Sequence, residues 1–157
     1  MVCPRELYYS ITLLSTSFAF VTITLIISRY VWRSNTKLIV AFSFMLIVFI
    51  VQIINLICET FRCIRIRIAP IFTIVFHGIS VIFSFVTLII LIIVITRQEN
   101  PETLCGPFQY SEVLIAAVCY TFASILLAVT LILIIFFCEL PIDFLSSLEK
   151  VSDLFIN

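Results

Sequence analysis

The chain has 157 residues, 63% of them hydrophobic and only 11% charged, with two glycines and five prolines. Soluble domains carry about a quarter of their residues as charges, so a soluble globular protein is excluded. Nine basic residues balance nine acidic ones, leaving no net field or basic run to attract nucleic acid or a polyphosphate.

What remains is an all-α, polytopic membrane protein whose first partner is the lipid bilayer. After a short head, residues 7–28 are free of charge and form the first predicted span. It is longer than the 7–15-residue apolar core of a secretory signal and lacks a small-residue cleavage pattern, so it reads as a retained signal anchor. Ser10, Ser17, Thr24 and Ser28 recur along it and predict a polar stripe, with hydroxyls able to bond back to helix carbonyls. Arg29, Tyr30, Trp32, Arg33 and Lys37 follow, a mixture of rings and cationic stems suited to the headgroup boundary.

The second predicted span is 38–58, with Gln52 and Asn55 one turn apart near its end. Buried amides at this spacing are expected to bond to a neighbouring helix. Glu59, Arg62, Arg65 and Arg67 are read as a basic connection that snorkels to lipid phosphates.

The third span, 70–96, opens on Pro70, whose missing N–H costs nothing in the first turn. The twenty-nine residues from Ile68 to Thr96 carry no formal charge and hold the single histidine of the chain. Thr73, His77, Ser80, Ser84 and Thr87 follow at steps of four, three, four and three, which places them on one helix face. A span that is apolar elsewhere should turn that face toward protein or water. Gly78 reads as a point of close helix approach.

Asn100-Pro101 and Gly106-Pro107 mark turns in the longest connection, residues 97–111. Ser111 and Glu112 then cap the fourth predicted span, 113–138. Ala117, Thr121, Ser124 and Ala128 form a small-residue packing seam along it. Beyond Pro141, Phe144, Leu148, Val151 and Phe155 predict an amphipathic helix over 141–156, too polar to span and suited to the interface. The expected architecture is therefore one membrane domain: a bundle of four membrane helices with an interfacial tail helix.

Six cysteines form no zinc pattern. Cys119 and Cys138 read as small hydrophobes at or near a span, with Cys138 also placed for palmitoylation. Cys58 and Cys63 flank the second connection and would bridge if that connection faced an oxidising lumen. The side holding the head, second loop and tail has five Lys and Arg residues against four on the other. Arg29, Arg33 and Lys37 immediately after the first span tilt the reading toward both ends of the chain being extracytoplasmic. No glycosylation sequon reports the lumenal face, since Asn35 is followed by Thr36 and Lys37, and Asn100 by Pro101.

One histidine cannot form a metal pair, no phosphate-binding glycine loop is present, and His77 has no acidic orienter within the predicted spans. No cofactor or enzymatic activity is expected. The spans as drawn hold no Asp, Glu, Lys or Arg, which argues against a proton-coupled pump. Four spans with a basic first loop resemble the amino-terminal half of a divergent seven-span chemosensory receptor, although Thr96, Arg97, Gln98 and Glu99 do not form that class's acidic-Arg-aromatic triplet. The leading functional expectation is a non-enzymatic subunit or scaffold acting through helix contacts. The alternatives are a receptor-like fragment with a pocket around His77, and a small channel or transporter lined by His77, Gln52 and Asn55.

Overall fold

The computed structural model describes residues 4–27, 36–63, 70–97, 107–139 and 147–152. Four long helices, α1 (Pro4–Ile27), α2 (Thr36–Cys63), α3 (Pro70–Thr96) and α4 (Pro107–Ile134), are each long and apolar enough to cross a membrane. A π-helical turn, Ile135–Glu139, continues α4, and a short helix, α5, covers 147–152. Leu148 and Val151 of α5 are both about half exposed; the rest of the expected 141–156 tail helix lies outside the described residues.

Each long helix packs on two neighbours in the cyclic order α1, α2, α3, α4. The helices alternate in direction, because the end of α1 at Ile26 clusters with Leu38 at the start of α2, Val94 at the end of α3 and Leu114 at the start of α4. The inward positions recur at alternate steps of three and four on every helix. On α2 they are Leu38, Ala41, Met45, Val48, Gln52, Asn55 and Glu59, and on α4 Leu114, Ala117, Thr121, Ser124, Ala128, Leu131 and Ile135. That repeat keeps one seam facing inward along the whole length of a left-handed bundle.

The outward faces carry Ile, Leu, Val and Phe, with Ile82 63% and Phe137 69% exposed. Lipid tails are as apolar as these side chains, so burial of apolar surface gives little drive to bundle formation inside a bilayer. Van der Waals packing along the inner seams must hold the helices together. Small residues at Ala19, Ala41, Ala117 and Ala128, all buried, permit the close approach this requires.

The first-span stripe falls on the opposite side from expectation. Ser10, Ser17 and Thr24 are exposed, whereas the buried α1 face is Tyr8, Thr12, Ser15, Ala19, Thr22 and Ile26. Ser17 donates to the carbonyl of Leu13 at 2.9 Å and Thr24 to that of Phe20 at 2.9 Å. A hydroxyl satisfied by its own helix can face lipid, so hydroxyl spacing alone did not identify the inner face. Ser28 lies outside the described residues.

Candidate functional site in the polar half of the bundle

The core is divided along its length. At one end Ile26, Leu38, Leu91, Val94, Leu114 and Ala117 close into an apolar collar. Stepping away from the collar by threes and fours brings Ser15, Val48, Ser84 and Ser124 to one level, and Ser15 and Ser124 share a hydrogen bond of 3.2 Å there. The next level holds Thr12, Gln52, Ser80 and Ala128, and the one after it Tyr8, Asn55, His77 and Leu131, all buried. The clustering of Tyr8 with Leu131 and Ile135 agrees with this register. Glu59 and Thr73 occupy the outermost level, each only 1% exposed. From Ser84 to Thr73 is eleven residues of α3, or about 16 Å of helix, roughly half of a 30 Å hydrocarbon core.

The α3 seam thus lies wholly inside: Thr73, His77, Ser80, Ser84 and Thr87 are each at most 2% exposed. Thr87 donates to the carbonyl of Phe83 at 2.9 Å, and Thr121 of α4 to that of Ala117 at 2.7 Å. The deeper polar groups behave differently. Thr12 Oγ1, both polar atoms of Gln52, both of Asn55, Thr73 Oγ1, both ring nitrogens of His77 and Ser80 Oγ are buried with no hydrogen-bond partner in the structure. The amides therefore do not make the interhelical bonds expected of them, and His77 is not held by a neighbouring hydroxyl or carboxylate. Orphaned buried donors and acceptors are rare in native proteins, and each costs about 1–3 kcal/mol.

Glu59 lies buried within α2 rather than in the connection that its charge predicts. Charge suggested a loop, but α2 continues through Cys63, and Glu59 falls on the inward seam four residues after Asn55. A carboxylate is therefore buried within a candidate span, Thr36–Phe61, and the argument against ion-linked transport from absent intramembrane acids loses its premise. The signal was present in the spacing 52, 55, 59. Glu59 makes an interaction of its own within the protein. Among the described residues, no group of three or more His, Cys, Asp or Glu could hold a metal.

Other expected features are placed as follows. Cys58 is a free thiol, so no bridge joins it to Cys63; both belong to α2, where five residues advance about 7.5 Å along the axis, beyond disulfide reach. Cys119 is exposed on α4. Gly78 is partly exposed, and a Cβ there would meet nothing within 4 Å, so it does not serve a close approach within the bundle. An apolar groove lined by Thr36, Lys37, Val40, Ile90 and Ile93 lies between α2 and α3 near the collar end, away from the polar half.

Ala117, Thr121, Ser124 and Ala128 of the α4 seam are buried within this one chain. Ala117→Leu is accordingly expected to act by overpacking the collar, lowering stability by about 1–3 kcal/mol without changing oligomeric state. Thermal unfolding followed by circular dichroism, together with light scattering on the detergent-solubilised protein, checks both parts.

The fold and its core define a class: a four-helix bundle whose helices are long and apolar enough to cross a membrane, with an apolar collar at one end and a cluster of unpartnered polar groups toward the other. No protein-family model, curated protein or solved structure matches the chain.

Proposed function

We propose that the chain is a non-enzymatic multi-pass membrane protein that admits a small polar solute into the polar half of its bundle, as a channel or carrier subunit does. The observation that supports this reading is the set of unpartnered polar atoms that Thr12, Gln52, Asn55, Thr73, His77 and Ser80 bring together from three helices. Polar groups inside a membrane are expensive, and they are tolerated where they line a solute or ion path. The scaffold reading is weaker, because the seams that would grip another chain are used within this bundle, leaving mainly aliphatic and aromatic outer faces.

The apolar collar makes this an occluded site with one-sided access rather than an open pore. Access is from the end where α1 begins and α2 finishes. With the ends of the chain extracytoplasmic, as the basic residues after α1 favour, that entrance faces outward and α5 lies at the same interface.

Cysteine accessibility tests the reading. In a background lacking the native cysteines, the small, uncharged methyl methanethiosulfonate should modify Asn55→Cys about tenfold or more faster than Val94→Cys in the collar or Phe85→Cys on the lipid face, because the reactive thiolate needs water. Equal, background-level rates at Asn55 and Val94 would exclude a solute-accessible core.

A further inference from the structure

We infer that the polar half of the bundle recognises a small neutral solute carrying a carboxamide-type group, in preference to an ion of the same size. The inference rests on the solute-access reading above and names the ligand class. Its basis is the kind of atom left unpartnered. Gln52 and Asn55 each present an amide oxygen and an amide nitrogen without a bond, His77 presents both ring nitrogens, and Thr12, Thr73 and Ser80 add hydroxyls.

A carboxamide side chain offers two N–H donors and a two-lone-pair oxygen, and a neutral imidazole one donor and one acceptor. The core therefore holds both donors and acceptors in comparable number. Its complement must also be donor and acceptor at once. A carboxamide meets that need with one planar group, its N–H atoms on the oxygen of Asn55 or Gln52 and its C=O on a facing N–H, hydroxyl or imidazole.

Charge selects against the ionic alternatives. At the two levels that hold Gln52, Asn55, His77, Thr12 and Ser80 there is no side chain of Asp, Glu, Lys or Arg among the described residues. A lone ion moved there from water would lose its hydration without a counter-charge, a penalty that neutral dipoles only partly offset. An anion would in addition meet the buried carboxyl group of Glu59 at the outermost polar level. Glu59 has its own interaction within the fold, so the deeper levels offer a cation no free carboxylate.

Size follows from packing. The unpartnered atoms are buried from water, so entry requires the flexible Gln52 and Asn55 side chains to turn, and only a solute of a few heavy atoms fits without separating helices. Binding by so small a molecule is weak, which sets the probe concentration at about 0.1 M.

The test uses three small probes, one neutral, one anionic and one cationic: acetamide, sodium acetate and ethylammonium chloride. With Ser80→Cys as reporter in the otherwise cysteine-free protein, acetamide is expected to slow methanethiosulfonate labelling by about fivefold or more, while the anion and the cation leave it near the rate in buffer of equal ionic strength. Adding Gln52→Met and Asn55→Leu should abolish the protection, whereas Ser17→Ala, on the lipid face, should leave it intact. Protection by acetate or ethylammonium equal to that by acetamide overturns the ligand class but leaves the accessible core standing, as does labelling that acetamide does not slow. Absence of labelling at both Ser80→Cys and Asn55→Cys overturns the accessible core and this inference with it.

Discussion

Exchanging Gln52 for Met and Asn55 for Leu together is expected to stabilise the bundle, by about 2–4 kcal/mol, rather than to weaken it. Both side chains are fully buried, and none of their four polar side-chain atoms has a partner. Met and Leu are close to the originals in length and volume, so the exchange removes the desolvation cost without opening a cavity. The gain is tempered because a polar residue in a membrane also finds partners in the unfolded state. Thermal unfolding of the purified protein, followed by circular dichroism, measures the effect. A fall in stability on this exchange would mean that the amides are satisfied in the native bundle. Stabilisation coupled with loss of acetamide protection would identify the amides as groups retained for function at a cost in stability, the usual trade at a binding site.

Much of this arrangement is legible in the sequence, and the parts that are not have identifiable causes. The uninterrupted apolar runs identify the four membrane-length helices, because only internally bonded backbone is stable in lipid. The step pattern 73, 77, 80, 84, 87 is the inward face of α3, since an all-apolar background leaves a polar stripe one sensible side. α1 defeats the same logic. It carries hydroxyls all round, and only tertiary packing separates Thr12 and Ser15, inside, from Ser17 and Thr24, which bond to their own backbone and face out.

Element ends are less legible than the spans themselves. Charged and turn-forming residues suggested that α2 stops at Cys58 and that the fourth helix begins after Ser111, yet α2 runs through Cys63 and α4 opens at Pro107. Pro107 suits a first helical turn for the same reason as Pro70. Glu59 was lost to the site by that boundary alone, although it continues the step from Gln52 and Asn55. What the sequence could not disclose is that the amides and His77 stand at adjacent levels on facing helices, because register between helices is a property of packing.

The apolar collar makes the opposite prediction to the polar core. Leu91 is fully buried among Ile26, Leu38, Val94, Leu114 and Ala117, so Leu91→Ala removes packed atoms from all sides at once. The expected loss is about 2–5 kcal/mol, the range for a large-to-small change that leaves a cavity. Leu133, which is 49% exposed on the lipid face of α4, provides the matched control: its change to Ala should cost no more than about 0.5 kcal/mol. The collar also separates the polar half from the far side of the membrane. In the Leu91→Ala background, Val94→Cys should therefore become reactive to the same thiol reagent. If stability falls as expected but Val94→Cys stays protected, the collar serves packing alone and the barrier lies in the polar levels themselves. If Val94→Cys opens while the helices stay folded by circular dichroism, the collar is the closed gate of a path whose polar portion is lined by Gln52, Asn55 and His77.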